Sequence, residues 1–216
     1  IRGILHVHTT YSDGAATLQQ MAAATQALGY GYLGITDHSR SAAYAGGLSI
    51  DEVYRQHEEI DRLNEVVRPF RIFKGIESDI LADGSLDYPD KVLATFDFVI
   101  ASVHSRFTQS RADMTARIVR AVENPFTTIL GHPTGRLLLK RDGYELDMEA
   151  VLAAAAASRT AIDLNADPRR LDLDWSLVRQ AREAGIELPV SPDARSVAGL
   201  MNIRWGLHIA RKGGAR

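Results

Sequence analysis

Apolar positions along this 216-residue chain repeat one figure: a short run of β-branched or other apolar residues, a few polar residues, then a longer stretch with apolar positions at helical spacing. Alternation of this kind marks βα units, in which parallel strands are joined by helices that cover them. Seven runs read as strands: Gly3–Val7, Tyr32–Ile35, Arg71–Ile76, Phe96–Val103, Thr127–Leu130, Thr160–Leu164 and Ile186–Val190. Helical spacing follows at Leu18–Leu28, Ile50–Val67, Tyr88–Ala94, Met114–Glu123, Met148–Ala157 and Trp175–Ala184, and Leu200–Ala210 closes the chain. Thr17 and Ser49 stand at N-cap positions, and Gly29 and Gly185 stand where helices hand over to strands. The Ser-, Ala- and Gly-rich stretch Ser39–Leu48 is expected to be a mobile loop, and Arg136–Tyr144 is a second irregular stretch. Seven such units either close into a barrel or form an open, doubly wound sheet, and periodicity alone does not choose.

Composition narrows the class. An apolar fraction of 45% and a charged fraction of 24% are those of a water-soluble globular chain, with one domain expected over residues 1–216. No apolar stretch approaches the ~20 residues that span a bilayer, so no membrane partner is expected. Ile1–Leu5 carries no secretory signal, and a start at Ile rather than Met reads as a piece cut from a longer chain. The absence of cysteine excludes disulfides and thiolate metal sites and fits a cytoplasmic origin. A net charge of −2 gives no overall attraction for polyanions.

The candidate chemistry lies in where the histidines fall. His6 and His8 end the first strand as His-Val-His, and the period of an extended strand turns both imidazoles to one face. His38 follows the second strand, Glu77 the third, His104 the fourth, His132 the fifth and Asp193 the seventh. Parallel α/β folds gather the C-terminal ends of their strands on one rim, so six of the seven runs deliver an imidazole or a carboxylate to the same place. Imidazole and carboxylate donors suit manganese, zinc or iron. The donors are too many for one tetrahedral ion, which implies at least two, with Glu77 bridging. Clustered ions suit phosphate-ester hydrolysis, because one activates water while another neutralises the phosphate oxygens.

The segments His6–Gly14, Thr36–His38, Gly75–Glu77, Ser102–Ser105, Gly131–Pro133 and Pro192–Ala194 resemble the PHP (polymerase and histidinol phosphatase) family over nearly the whole chain. Within it, Asn165–Pro168 and Ala198–Leu200 are most similar to the PHP domain attached to bacterial family X DNA polymerases. The resemblance implies a distorted seven-stranded βα barrel with two or three divalent ions on its C-terminal rim. It implies His6, His8, Glu77 and Asp193 around one ion and Glu77, His104 and His132 around a second. Asp13, His38 and position 195 would hold the third. The implied activity is 3′–5′ exonuclease or DNA end processing, with covalently linked polymerase modules as partners. A phosphatase for a small phosphate monoester and a regulatory domain that has lost activity are the alternatives.

Position 195 departs from the family pattern, which has histidine there; Arg195 has no lone pair to donate. It is expected to place a fixed cation near Asp13 and offer a fork to a substrate phosphate. Arg40, Arg106 and Arg136 are further candidates for substrate binding, each close in sequence to a candidate ligand. Asp37 and Asp79 either orient the histidines or stabilise loops, and His57 and His208 are expected to be surface or packing residues.

Overall fold

The apolar runs pair in sequence order. In the computed structural model, which describes residues 1–215, β1 (Gly3–Val7), β2 (Tyr32–Ile35), β3 (Arg71–Asp79), β4 (Phe98–Ser102), β5 (Ile129–Leu130) and β6 (Ala161–Ile162) form a parallel sheet in that order. Two further strands, β7 (Leu164–Asn165) and β8 (Val190–Ser191), pair in parallel beside it. The run expected at Thr160–Leu164 is thus divided at Asp163, whose N–H donates to Leu130 O at 2.9 Å. Its neighbours turn the other way: Ile162 N–H donates to Glu187 O at 3.0 Å and Leu164 N–H to Pro189 O at 2.8 Å. A parallel bridge joins Val7 to Ala194, with His8 N–H donating to Ala194 O at 2.9 Å. The result is an α/β fold with a curled parallel sheet, in which the seven expected strands appear as six in one sheet plus a short pair.

Local sequence explains the helices. In α1 (Leu18–Ala27) and α2 (Ile50–Val66), Thr17 with Gln20 and Ser49 with Glu52 form capping boxes that satisfy the first free N–H groups. The α4 helix (Arg111–Val122) starts earlier than its apolar spacing suggests because Ser110 accepts from Asp113 N–H. By contrast α3 shrinks to Asp90–Leu93, with Pro89 at an uncapped start. The remaining helices are α5 (Met148–Ser158), α6 (Trp175–Glu183) and α7 (Ile203–Lys212), the last entered through a 3-10 turn at Ala198–Asn202.

The core lies on both faces of the curl. Alternate strand residues such as Ile4, Leu33, Ile35 and Ile72 pack under α1 and α2, and Ile76, Val99 and Ala101 pack under α4 and α5. The opposite, concave face holds Phe98, Ile100 and Ile129 against Leu5 and Phe73. A Cβ at Gly34 or Gly75 would stand 2.6 or 2.5 Å from the Phe98 ring, so only glycine leaves room for it. Further along β3 on this concave face, with the parity of Phe73 and Gly75, comes Glu77.

Candidate metal centre

Glu77 is fully buried inside β3 rather than beyond its end, and imidazoles surround its carboxylate. His132 Nε2 lies 2.9 Å from Oε1, and the Nε2 atoms of His6 and His104 each lie 3.3 Å from it. On the other oxygen, His38 Nδ1 is at 3.2 Å and His8 Nε2 at 3.5 Å. Asp193 closes the cluster, its Oδ1 3.2 Å from His8 Nε2 and 3.5 Å from His6 Nε2. Asp13 stands at the open side, 3.6 Å from His8 and 3.7 Å from His38. All eight residues expected from the sequence therefore meet in one place.

Three of them do so through unusual backbone. His6, His132 and Asp193 have φ of +61°, +23° and +48°, and the β1–β2 register shifts between Ile4 and Val7. Strand alternation carried on from Leu5 would turn His6 to the helix side. The left-handed residue reverses the parity, so that His6 and His8 both face the concave side while Val7 joins the outer core. Strain of this kind is stored where surrounding contacts hold it, as at functional sites.

The donors fall into four groups whose ligand atoms lie within 4.8 Å of one another: His6, His132 and Asp193; His6, His8 and Glu77; His8, Asp13 and His38; and His38, Glu77 and His104. This differs from the sets implied by resemblance, in that His132 groups with His6 and Asp193, and His38 with His104. Among the described residues, His6 Nε2, His8 Nδ1, His38 Nδ1, Glu77 Oε2, His104 Nε2 and His132 Nδ1 are buried without a hydrogen-bond partner. Such atoms carry a desolvation cost that an unmade bond does not offset.

Electrostatics divide the imidazoles. Burial opposes charge on His6, His8, His104 and His132, and it wins at His8, where Arg195 and His38 add repulsion and hold the pKa at about 3. It wins also at His132, held at about 3 by burial and Arg170. At His104 burial is outweighed by Glu77 and Asp79, which push the pKa up to about 9, and at His6 by Asp193 and Glu77, which raise it well above 6.5. Burial likewise opposes ionisation of Glu77, but His104, His6 and His38 hold its carboxyl well below the usual range.

A second ring of residues fixes these side chains. Asp79 Oδ1 accepts from His104 Nδ1 at 2.6 Å, whereas Asp37 accepts from Thr9, Ser12 and Gln56 and so stabilises the loop after β1. Asp163, which the sequence reading passed over, accepts from His6 Nδ1 at 3.0 Å with both side chains fully buried. Asn165 donates to Asp193 Oδ2 at 3.1 Å, and Arg170 Nε lies 3.4 Å from the same oxygen. The signal for Asp163 was its position, a carboxylate in the middle of an apolar run that must bury it. Arg117, buried on α4, bonds to the carbonyls of Ile80, Leu81 and Ser105 and so ties the loop that carries His104 to β3.

The arginines part company. Arg195 Nε donates to Asp13 Oδ2 and Nη1 to Asp193 Oδ1, each at 2.6 Å. Arg40 and Arg106 are exposed on the loops after β2 and β4 and form no ion pair among the described residues. Arg136 is engaged within the chain: its Nε donates to Arg170 O at 2.9 Å, Nη1 to Asp174 Oδ2 at 3.1 Å and Nη2 to Leu171 O, which holds its fork on the 170–174 segment. The loop Ser39–Leu48 is tied down, with Asp87 accepting from Ser41 N–H at 2.6 Å and Tyr88 donating to Leu48 O at 2.5 Å. It carries Tyr44, 71% exposed, to 6.2 Å from the His38 ring. His57 is 6% exposed and packs edge-on against Phe96, so it is a packing residue.

With this geometry in view, the comparisons agree on a family. The PHP domain model matches residues 5–167, and the chain belongs to the PHP domain family. It is 45% identical over 213 residues to the DNA polymerase/3′-5′ exonuclease PolX of Bacillus subtilis, an alignment that takes in 99% of this chain and 37% of that protein. The chain therefore spans little more than a third of that relative. It is also 34% identical over 169 residues to a protein named probable phosphatase from Caldicellulosiruptor saccharolyticus, covering 74% of this chain and 64% of that one. Among solved structures it resembles histidinol phosphate phosphatase of Lactococcus lactis, crystallised with zinc, L-histidinol and phosphate, with a TM-score of 0.69 at 15% identity over 100% of this chain and 95% of that one. That likeness bears on the fold. No described helix is long and apolar enough to cross a membrane.

Proposed function

We propose that this domain is a metal-dependent phosphoesterase whose reacting centre is the Glu77 cluster, and that its substrate is a DNA end. The observation that carries the reading is the set of buried, unpartnered imidazole and carboxylate atoms converging there. Divalent ions fit the cluster: His6, His132 and Asp193 would hold one, and Glu77 with the Nε2 atoms of His8 and His104 another, with manganese, zinc or iron all suited to the donors. We read the six-stranded sheet, the short β7–β8 pair and the Val7–Ala194 bridge as one distorted seven-stranded barrel with this centre on its C-terminal rim. The chain is read as one domain of a longer polymerase, working in the cytoplasm with linked polymerase modules that contribute to DNA binding.

Bound ions would supply Lewis acidity toward a phosphoryl oxygen and activate water for attack. The chain's own part is to prepare that site. Asp163 and Asp79 hold protons on the Nδ1 atoms of His6 and His104, which turns their Nε2 lone pairs inward. Asp193 is kept ionised against burial by Arg195 and His6. Arg195, partly exposed beside the cluster, and the unpaired Arg40 and Arg106 offer positive charge to a phosphate on the open side.

The test compares manganese-dependent turnover of end-labelled single-stranded DNA with that of small phosphate monoesters. Release of nucleotides from the 3′ end is the expected result. Turnover of the monoester alone would move the domain among the small-molecule phosphatases, a reading favoured by its net charge of −2. No turnover of either would leave it a structural partner of the polymerase.

A further inference from the structure

A permanent cation stands where three candidate ligands meet. Arg195 Nε donates to Asp13 Oδ2 at 2.6 Å, Nη1 to Asp193 Oδ1 at 2.6 Å, and Nη2 to His38 Nε2 at 3.2 Å. The same neighbourhood is spaced for a small ion. Asp13 Oδ1 lies 3.6 Å from His8 Nδ1 and 3.7 Å from His38 Nε2, and tetrahedral bonds of about 2.1 Å set ligand atoms roughly 3.4 Å apart. Guanidinium and ion would compete for one space and, at His38 Nε2, for one lone pair.

Counting lone pairs decides the competition. A neutral imidazole has one to give. His8 Nε2 faces Asp193 and Glu77 at 3.2 and 3.5 Å, so an ion held beside Glu77 would take that lone pair and leave Nδ1 protonated toward Asp13. Position 195 contributes no lone pair, because a guanidinium stays protonated and only donates. The outer group is left with Asp13 and with a His38 nitrogen that already accepts from Arg195. Asp13 needs a positive partner all the same, and the fork supplies it.

We propose that Arg195 is a built-in substitute for an outer metal ion, so that this chain holds two ions around Glu77 while the guanidinium fixes Asp13 and Asp193. This rests on the reading of the Glu77 cluster as a metal centre. The Arg195 side chain is 26% exposed, so the fixed charge faces the open side of the site and no chelator removes it.

The test counts ions. The whole chain is metal-depleted, loaded with manganese and desalted, and manganese per folded molecule is measured by mass spectrometry of the metal, with circular dichroism reporting the fold. Wild type is expected to hold two ions, Arg195→His three, and the double variant Arg195→His/Asp13→Ala two again. Asp13→Ala alone is expected to match wild type, because Asp13 binds no ion there. Three ions in wild type, or one fewer in Asp13→Ala than in wild type, would overturn the proposal while leaving the metal-centre reading intact. A folded Arg195→His that stays at two also overturns it. If Arg195→His does not fold, the Asp13→Ala comparison still decides. Wild type that takes up no manganese defeats the metal-centre reading and the proposal with it.

Discussion

Asp163→Ala removes one contact on which the account depends without touching a candidate ligand. The carboxylate accepts from His6 Nδ1 at 3.0 Å, and both side chains are 0% exposed. Its loss leaves a buried N–H without an acceptor, a cost of about 1–3 kcal/mol. It also frees the ring to take the other tautomer, which puts the proton on Nε2, the atom that faces Glu77 and Asp193. Outer contacts of this kind are worth roughly 10–100-fold in metal affinity, which corresponds to about 1.4–2.7 kcal/mol. Asp163→Asn is expected to fall between the two, because its carbonyl oxygen still accepts but carries no charge. The assay is calorimetric titration of the metal-depleted protein with manganese, with melting in chelator as the check that the apo fold survives. A folded Asp163→Ala that binds manganese with wild-type affinity would refute the argument that Asp163 prepares His6 as a ligand.

Three further outcomes follow from the structure. Arg136→Met is expected to destabilise the fold by about 1–3 kcal/mol through the carbonyls of Arg170 and Leu171 that it leaves unpaired; a denaturant titration measures this, and a raised KM with unchanged stability would return Arg136 to substrate binding. His57, which burial and then Lys74 hold at about 4, titrates near 6.5 when unfolded. The folded state therefore binds fewer protons between those values, and stability present above pH 6.5 is lost as the pH falls toward 4. His57→Phe should remove about 1–2 kcal/mol of that slope, the partly screened share of the shift; an unchanged melting profile from pH 7 to pH 4.5 would contradict it. Chelation is expected to lower the melting temperature by several degrees, because ions that bind only the folded cluster stabilise it by mass action.

Much of this was legible in the chain because its βα period and its donor positions coincide. Strand-end placement brought His6, His8, His38, His104, His132 and Asp193 together, since parallel strands share a rim whatever the details of their length. The details were less legible. That Glu77 lies inside β3, and that left-handed residues turn His6, His132 and Asp193 inward, depends on register and tertiary contacts that alternation does not encode. Asp163 hid in a run read as a plain strand, because hydrophobic pattern marks where a chain is buried and not which buried group bonds to which. The contacts of Arg136 were not legible either, because closeness in sequence to His132 says nothing of the 170–174 segment, whose carbonyls accept from its fork.

The most direct test is hydrolysis of end-labelled single-stranded DNA by wild type and Glu77→Gln, each stripped of metal and then given manganese. Among the described residues, Glu77 is the one carboxylate approached by five imidazoles. Losing its charge should forfeit several kcal/mol of transition-state stabilisation, or roughly a thousandfold in rate. The account predicts no turnover in the stripped enzymes, full recovery in wild type and almost none in Glu77→Gln. Turnover by stripped wild type, or recovery of a folded Glu77→Gln to within about tenfold, would contradict it.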